Sequence, residues 1–490
     1  MSGKTKIVIL GAGISGHTTA LNLIHKLKKK AEVTVVSPNS NYQWIPSNIW
    51  VGAGYMKPEQ VYFKLKPVYD KLGINFKQAK AISIHPEGDE GENKPYVTIE
   101  YIQQAENAKK EKVFYDFLIN ATGPKLNFEA VPGLGPATGN TVSICTYDHA
   151  SEAYEKLKET IEKMKKGKRQ KIVIGLGHGG ATCQGAALEY TMNVAYLVKK
   201  LGLEDLADIR YVTNEMFIGD LGMGGAYVKN SGYIAHTKNI ISSLFYEYGI
   251  KWHHQSSVYK VENGKIFYET YSGEEKELEY DFAMLIPPFS GVGIKGVGPN
   301  GEDFTDKLFK PNKLMIVDAD YESAKKPYHE WSGDDWPKKL QNPTYPNIFA
   351  VGIAFAPPHS ISKPHTTPSG RPLTPAPPRT GMPSAVMAHA TAMNIVDWIK
   401  EGKPSFKHKA SMAEIASICV VSIGYGFRGL AGSMSVYPTI PDYNKYPDFG
   451  RDVRYTIGEI GTAGHWFKLI MHYVFLWKAK AKPFWYLIPD

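Results

Sequence analysis

At 490 residues, 43% of them hydrophobic, the chain is long enough to bury two or three cores, which excludes a disordered or fibrous protein. Fifty-seven Lys and Arg against 48 Asp and Glu leave a net charge of +9, suited to an anionic surface, and the aromatic C-terminus described below selects lipid over nucleic acid. Only three cysteines are present, Cys145, Cys183 and Cys419, too few and too far apart for a secreted disulfide framework or a Cys-x-x-Cys metal site, and no metal is expected.

The N-terminus runs into an apolar strand without a signal segment, and no uninterrupted apolar run reaches the ~18–20 residues of a transmembrane helix, so a soluble or peripheral protein is expected. The strand Lys6 to Leu10 precedes Gly11-Ala-Gly13-Ile14-Ser15-Gly16 and a helical pattern through Leu21, Leu23, Ile24 and Leu27. Gly-x-Gly-x-x-Gly between strand and helix lets backbone N–H groups approach a pyrophosphate, so a dinucleotide is predicted here. The next strand, Glu32 to Val36, ends in Ser37-Pro38-Asn39, where an acidic residue usually holds the adenine ribose, and leaves that contact to Ser37 or Asn39. Further on, Phe117 to Asn120 leads into Ala121-Thr122-Gly123-Pro124, which resembles the flavoprotein signature that passes close to FAD and shifts the expectation from nicotinamide alone to FAD. Residues 85–95 and 103–112 read as solvated hairpin loops.

Ser143-Ile-Cys145-Thr-Tyr-Asp-His149 stands at the entry to an amphipathic helix reaching about Lys165, and the run Lys165 to Lys171 reads as a solvated linker. A second strand, glycine turn and helix follow, with Gly175, Gly177 and Gly180 in the turn and Cys183 just inside the helix start. Such a stretch suits a nicotinamide site or a sulfur-reactive site, since a helix N-terminus favours a thiolate. The plainer alternative is three unrelated buried thiols.

Gly219 to Gly225 reads as a flexible turn bordering the Cys183 cleft, and residues 250–290 as strands returning the chain to its first domain. The charged, aromatic insert around 320–342, with Trp331 and Trp336, suggests no function. Asn347 to Ala354 is a buried strand with Gly352 near its end. Pro357 to Pro378 is a loop rich in Pro, Ser, Thr and His, either a lid or a surface excursion. Arg379-Thr380-Gly381 then opens a helix ending near Trp398, where a cation and a helix N-terminus suit the anion of a reduced flavin.

Cys419 lies in a short buried strand, Ala416 to Gly424. In the last helix Trp466, Leu469, Ile470, Tyr473, Val474 and Trp477 repeat at i, i+3, i+4, while His465, Lys468 and His472 form a narrow polar stripe. Lys478, Lys480 and Lys482 precede Phe484, Trp485 and Tyr486. Lysines interleaved with aromatic residues describe a helix lying in a membrane interface, with packing against a partner subunit as the alternative.

Together these motifs resemble the sulfide:quinone oxidoreductases, membrane-bound flavoproteins of the two-dinucleotide-domain disulfide reductase class. The resemblance covers nearly the whole chain and implies an α/β fold: two Rossmann-like dinucleotide-binding domains plus a C-terminal amphipathic-helix region for quinone and membrane. FAD would occupy residues 1–170 and 291–400, the second Rossmann-like unit 171–290, and the quinone and membrane region 401–490. Pro46 and Gly352 join Gly11, Gly13, Ile14, Ser15, Gly16, Ser37, Pro38, Asn39, Thr122, Gly123, Pro124, Arg379, Thr380 and Gly381 as implied FAD contacts, with Cys145 the candidate covalent tether to the flavin. Cys183 and Cys419 would face each other on one side of the flavin and carry a growing sulfur chain, with Glu189 and His149 in proton handling or sulfide delivery. Hydrogen sulfide is the implied substrate and a membrane quinone, bound between Ile418 and Met471, the implied acceptor, in a monotopic homotrimer on an anionic membrane surface. Asp220 and Met471 depart from the family, which commonly has a histidine at the first place and an aromatic residue at the second. Two rivals share the fold or the flavin: a type II NADH:quinone oxidoreductase, which needs nicotinamide over the second glycine turn, and a non-catalytic flavin-binding redox sensor or scaffold.

Overall fold

The computed structural model describes residues 4–102, 109–230, 232–379 and 381–490. In chain order its principal elements are β1 (Thr5–Leu10), α1 (Ile14–Leu27), β2 (Ala31–Ser37), β3 (Asn75–His85), β4 (Tyr96–Tyr101), β5 (Lys110–Phe114) and β6 (Phe117–Asn120). There follow α2 (Tyr147–Lys165), β7 (Gln170–Leu176), α3 (Gln184–Lys200), β8 (Ala207–Val212), β9 (Tyr227–Asn230), β10 (Tyr233–His236) and β11 (Lys251–His253). The rest comprises β12 (Ser256–Glu262), β13 (Lys265–Thr270), β14 (Glu275–Glu279), β15 (Phe282–Ile286), β16 (Ile348–Ala350), α4 (Gly381–Glu401), β17 (Ala416–Ile423), β18 (Leu430–Pro438), β19 (Ile457–Gly461) and α5 (Thr462–Ala479).

Three sheets position the site. The first has the order β16-β6-β1-β2-β3-β4-β5, parallel from β16 to β3. Its central strands read as continuous apolar runs because both faces are covered: Ile7, Val8, Ile9 and Leu10 are all buried. The second sheet, β11-β8-β7-β15, is wholly parallel. The third, β10-β9-β19-β18-β17, draws the two strands at one side, β10 and β9, from the middle of the chain and the other three from its end.

Several expectations change here. Residues 110–112 are strand, not loop, because the edge strand β5 hydrogen-bonds β4 while its charged side chains stay in water; residues 103–108 lie outside the described residues. The strands of 250–290 do not return the chain to the first sheet: β11 and β15 belong to the second, and β12-β13-β14 form a small antiparallel sheet of their own. The return comes only when Lys295–Gly296 pairs with β3 and β16 with β6.

Candidate active site

The first glycine turn is a close-packed cradle. Gly11 has φ +103°, and a Cβ on it would stand 2.2 Å from the Ala121 carbonyl oxygen, while one on Gly16 would stand 2.1 Å from that of Gly11. Gly13 faces open space. Around it converge Gly352, whose Cβ position is 2.3 Å from Ser15 Oγ, and Gly381, 3.4 Å from Ile14 Cδ1 and 3.8 Å from Pro46 Cγ. Ser15 Oγ donates to Ser384 O at 3.2 Å. Ser37 is buried at the end of β2 and its Oγ accepts from Asn39 N at 3.2 Å, while the neighbouring Pro38 carbonyl accepts from Gln78 Nε2. Thr122 donates through N and Oγ1 to Asn120 Oδ1, Gly123 has φ +69° with open space before it, and Pro124 is half-buried. Thr380 lies outside the described residues.

Arg379 is buried, and its Nη1 donates to Ile353 O at 3.2 Å and Phe355 O at 2.5 Å. Burial lowers its pKa to about 10, so it remains a cation at neutral pH. Among the described residues Arg379 Nε and Asn48 Oδ1 are buried without hydrogen-bond partners. Asn48 Nδ2 donates to Ile144 O, beside Cys145. Open space at Gly13, a buried guanidinium donor and an amide acceptor fit an anionic dinucleotide with a polar ring edge.

Cys183 is not inside the helix but immediately before it, as the N-cap of α3 with φ +75°, a left-handed conformation rare outside glycine. Cys419 comes from β17, and its Sγ lies 3.2 Å from the Cβ position of Gly185 in the first turn of α3. Cys145 is near enough to Cys183 to act on its charge, as is Arg379. All three are free thiols. Burial pushes the Cys183 thiol up to about 12 and those of Cys145 and Cys419 to about 11. The thiolate expected at Cys183 is thus replaced by a protonated thiol, because desolvation outweighs the Arg379 cation.

Glu189 shares the helix face of Gly185 and therefore meets β17, accepting from Ser422 N at 3.1 Å. It forms a buried ion pair with Lys468 of α5. Its charge acts on Cys419, whereas the groups that act on Cys183 are Cys145 and Arg379. Burial raises the Glu189 carboxyl against the pull of Lys468. His149 sits in the first turn of α2, its ring edge-on to Phe128 and its Nδ1 buried without a partner among the described residues.

The polar stripe of α5 turns inward. His465, Lys468 and His472 are buried, bonded in turn to Ser422 Oγ (2.5 Å), Glu189 and Ser47 Oγ (2.9 Å). Burial lowers His472 to about 4. The aromatic face, with Trp466, Phe467, Ile470, Tyr473 and Trp477, is outward and exposed. Lys478 does not reach outward as expected: it is buried against Asp490 at 2.5 Å. Met471 is half-buried on α5, and Ile418, half-buried on β17, faces the side of the sheet opposite Cys419.

Two further features escaped the sequence. Gly219 to Gly225 is no flexible turn but a buried one, because Asp220 accepts from Gly222 N at 3.0 Å and Ser362 Oγ at 2.5 Å, and Glu215 from Leu221 N at 2.7 Å. Burial together with Asp220 raises Glu215 to about 8. The segment Pro357 to Pro378 is a strap across the second glycine turn. Thr374 N donates to Gly179 O at 3.0 Å and Ala376 N to Ala181 O at 3.3 Å. A Cβ on Gly179 would lie 1.6 Å from Pro372 O. From below, Asn214 Nδ2 donates to Gly179 O at 2.9 Å and Ala181 O at 3.0 Å. The insert around 320–342 buttresses this strap: Trp331 stacks on His359 with centroids 4.2 Å apart and Asp335 meets the same ring at 3.3 Å.

Among the described residues no cluster of His, Cys, Asp and Glu could hold a metal, and no helix is long and apolar enough to cross a membrane. Residues 5–286 match the pyridine nucleotide-disulphide oxidoreductase family. The sulfide-quinone reductase of Aquifex aeolicus is 30% identical over 475 residues, 97% of this chain and 91% of that protein. The mitochondrial sulfide:quinone oxidoreductase of Dictyostelium discoideum is 23% identical over 59% of this chain and 57% of its own. The crystal structure of the Aquifex aeolicus sulfide:quinone oxidoreductase superposes with a TM-score of 0.71 at 28% identity, covering 97% of this chain and 92% of that one. NDH2 of Plasmodium falciparum in complex with NADH shares the fold, with a TM-score of 0.62 at 16% identity over 98% and 96% of the two chains.

Proposed function

The chain belongs to the pyridine nucleotide-disulphide oxidoreductases and, among them, to the sulfide-quinone reductases, and from that premise we propose that Cys183 and Cys419 carry the sulfur through a bridge between them. It is an FAD-dependent oxidoreductase that takes electrons from sulfide and gives them to a quinone. FAD, when bound, accepts two electrons and releases them to the quinone.

In the proposed reaction hydrosulfide attacks the bridge, forming one S–S bond and breaking another, so that one cysteine becomes a persulfide and the other leaves as a thiolate. Arg379 beside Cys183 lowers the cost of a charge there, but burial prevails and lifts that thiol to about 12, against about 11 for Cys419, so acidity does not mark Cys183 as the leaving thiolate. A Cys183 thiol lifted to about 12 makes its thiolate basic and electron-rich, suited to a short-lived donor. With two electrons passed to FAD each time the bridge re-closes around the added sulfur, repeated attack would lengthen the chain to a polysulfide or sulfur.

The observation that carries this reading is the Cys419 sulfur over Gly185, two residues beyond Cys183, at the start of α3. The nicotinamide alternative is disfavoured by the strap, whose Pro372 carbonyl stands where a pyrophosphate would cross Gly179. Cys145 is proposed to bond the flavin, the outward aromatic face of α5 to lie in an anionic membrane surface as a peripheral contact, and the assembly to be a homotrimer. The test is anaerobic: sulfide should bleach the flavin and a short-chain quinone restore its colour. Bleaching by NADH and not by sulfide would overturn the reading. Flavin that stays with acid-precipitated protein, and leaves it in Cys145→Ser, is the expected sign of the tether.

A further inference from the structure

The third sheet carries an apolar row that leads from its outer edge to the strand of the redox cysteine. Directly paired residues share one sheet face, and the pairs Ile234 with Lys229, Lys229 with Ile457, Ile457 with Val436 and Val436 with Ile418 join all five strands in one line. Exposure falls along it. Ile234 and Ile457 are about half exposed, at 49% and 50%, Lys229 is exposed, and Val436 and Ile418 are half-buried. On the same face the start of α5 packs against the neighbouring row, the Cβ position of Gly464 lying 2.8 Å from Ala431 Cβ and 3.1 Å from Met434 Cβ. The line is therefore walled on one side by the helix whose outer face is aromatic and exposed. It ends at Ile418, one residue before Cys419, whose side chain occupies the opposite face of β17.

We propose that this row is a track for the isoprenoid tail of the quinone, reaching from the exposed edge formed by β9 and β10 to Ile418. The proposal rests on the sulfide-to-quinone reading above. A tail needs a long, narrow, apolar contact with one open end, and four β-branched side chains, with the aliphatic stem of Lys229 among them, one strand apart, supply it. Across four strand spacings of about 4.8 Å the row spans roughly 19 Å, the length of several isoprene units. Lys229 fits such a track through its aliphatic stem, with its ammonium turned to water or lipid headgroups. A second copy of the chain pairing at β10 and a direct bilayer contact are the competing occupants.

The experiment compares two quinones of one ring, with and without a decyl tail, on the FAD-loaded full chain in detergent. The variants are Ile234→Ser, Ile457→Ser and Val436→Thr; the first two sit on exposed positions and the third keeps its shape, so folding is checked by the flavin spectrum. The expected result is a fall of about tenfold in kcat/KM for the tailed quinone relative to the tail-free one in Ile457→Ser and Val436→Thr. An equal change with both quinones, no change, or a change only in vesicle binding or oligomeric state would overturn the track. If the unsubstituted protein fails to reduce even the tail-free quinone with sulfide, the underlying function is what has failed.

Discussion

The Cys419 sulfur lies 3.2 Å from the place a Gly185 Cβ would take, so the first turn of α3 is kept bare for the sulfur of a distant strand. Gly185→Ala would push Cys419 back by a few tenths of an ångström, or more if β17 shifts with it. Helix propensity alone would make the substitution stabilising by about 1 kcal/mol, so lost activity cannot be charged to unfolding. The expected outcome is a fall of roughly tenfold or more in the rate of sulfide-dependent flavin bleaching, with flavin content and melting temperature preserved. An unchanged bleaching rate would show that the geometry of this pair does not govern sulfide oxidation.

Cys183→Ser and Cys419→Ser should each abolish sulfide-dependent quinone reduction, because either substitution removes one end of the bridge. Residual reduction of the flavin by dithionite should be unaffected. Full turnover in either variant would sink the sulfur bridge.

Lys468→Met leaves the Glu189 carboxylate buried without its ion-pair partner, which typically costs about 3–5 kcal/mol. The sign of the pH dependence follows from the carboxyl, whose folded pKa is already raised by burial and rises further without Lys468. Below its unfolded pKa, near 4.5, the group is neutral in both states and the loss vanishes; as the pH climbs above that value the variant loses stability progressively. Thermal melts between pH 4 and 8 should therefore diverge from the unsubstituted protein with rising pH. Glu189→Gln combined with Lys468→Met should close most of that gap.

Much of the first glycine turn was legible because glycines that must touch backbone leave a local pattern: Gly11 and Gly16 are dictated by contacts within one turn and the strand beside it. The proposed pairing of Cys183 with Cys419 came only from family resemblance, since the two are 236 positions apart in the chain and no local periodicity links them. The thiol charge was misjudged for a physical reason, because a helix N-terminus can be read from sequence while desolvation depends on everything packed around the group. Likewise the stripe of His465, Lys468 and His472 showed in the periodicity, but which way it pointed depended on Glu189 and Ser422, contributed by other elements. The strap was the least legible: its contacts with Gly179 and Ala181 are made mostly by backbone groups, which carry no side-chain signature.

The strap makes its own demand on the second glycine turn. Gly179→Ala would bring a methyl to 1.6 Å from Pro372 O, a backbone overlap that only displacement of the strap can relieve. Limited proteolysis should then cut within Pro357 to Pro378 much faster than in the unsubstituted chain. In the unsubstituted protein NADH should neither bleach the flavin nor protect the strap. Protection by NADH would mean that the turn still admits a dinucleotide.

The inward polar and outward aromatic faces of α5 would separate the proposed membrane contact from catalysis. Ile470 is 58% exposed and Trp477 48%, and neither lies on the face that holds Glu189 and Ser422. Ile470→Asp with Trp477→Ser removes apolar area from the outward face and adds a charge to it, so partitioning onto the surface should weaken steeply. Flotation with anionic vesicles should show the loss, while sulfide reduction of the flavin in detergent continues at the unsubstituted rate. A His472→Phe variant should behave in the opposite way, keeping vesicle binding but losing the Ser47 hydrogen bond that holds the helix to the protein. If the outward variant floated as well as the unsubstituted chain, the exposed aromatic face would have to be covered by another protein surface instead of lipid.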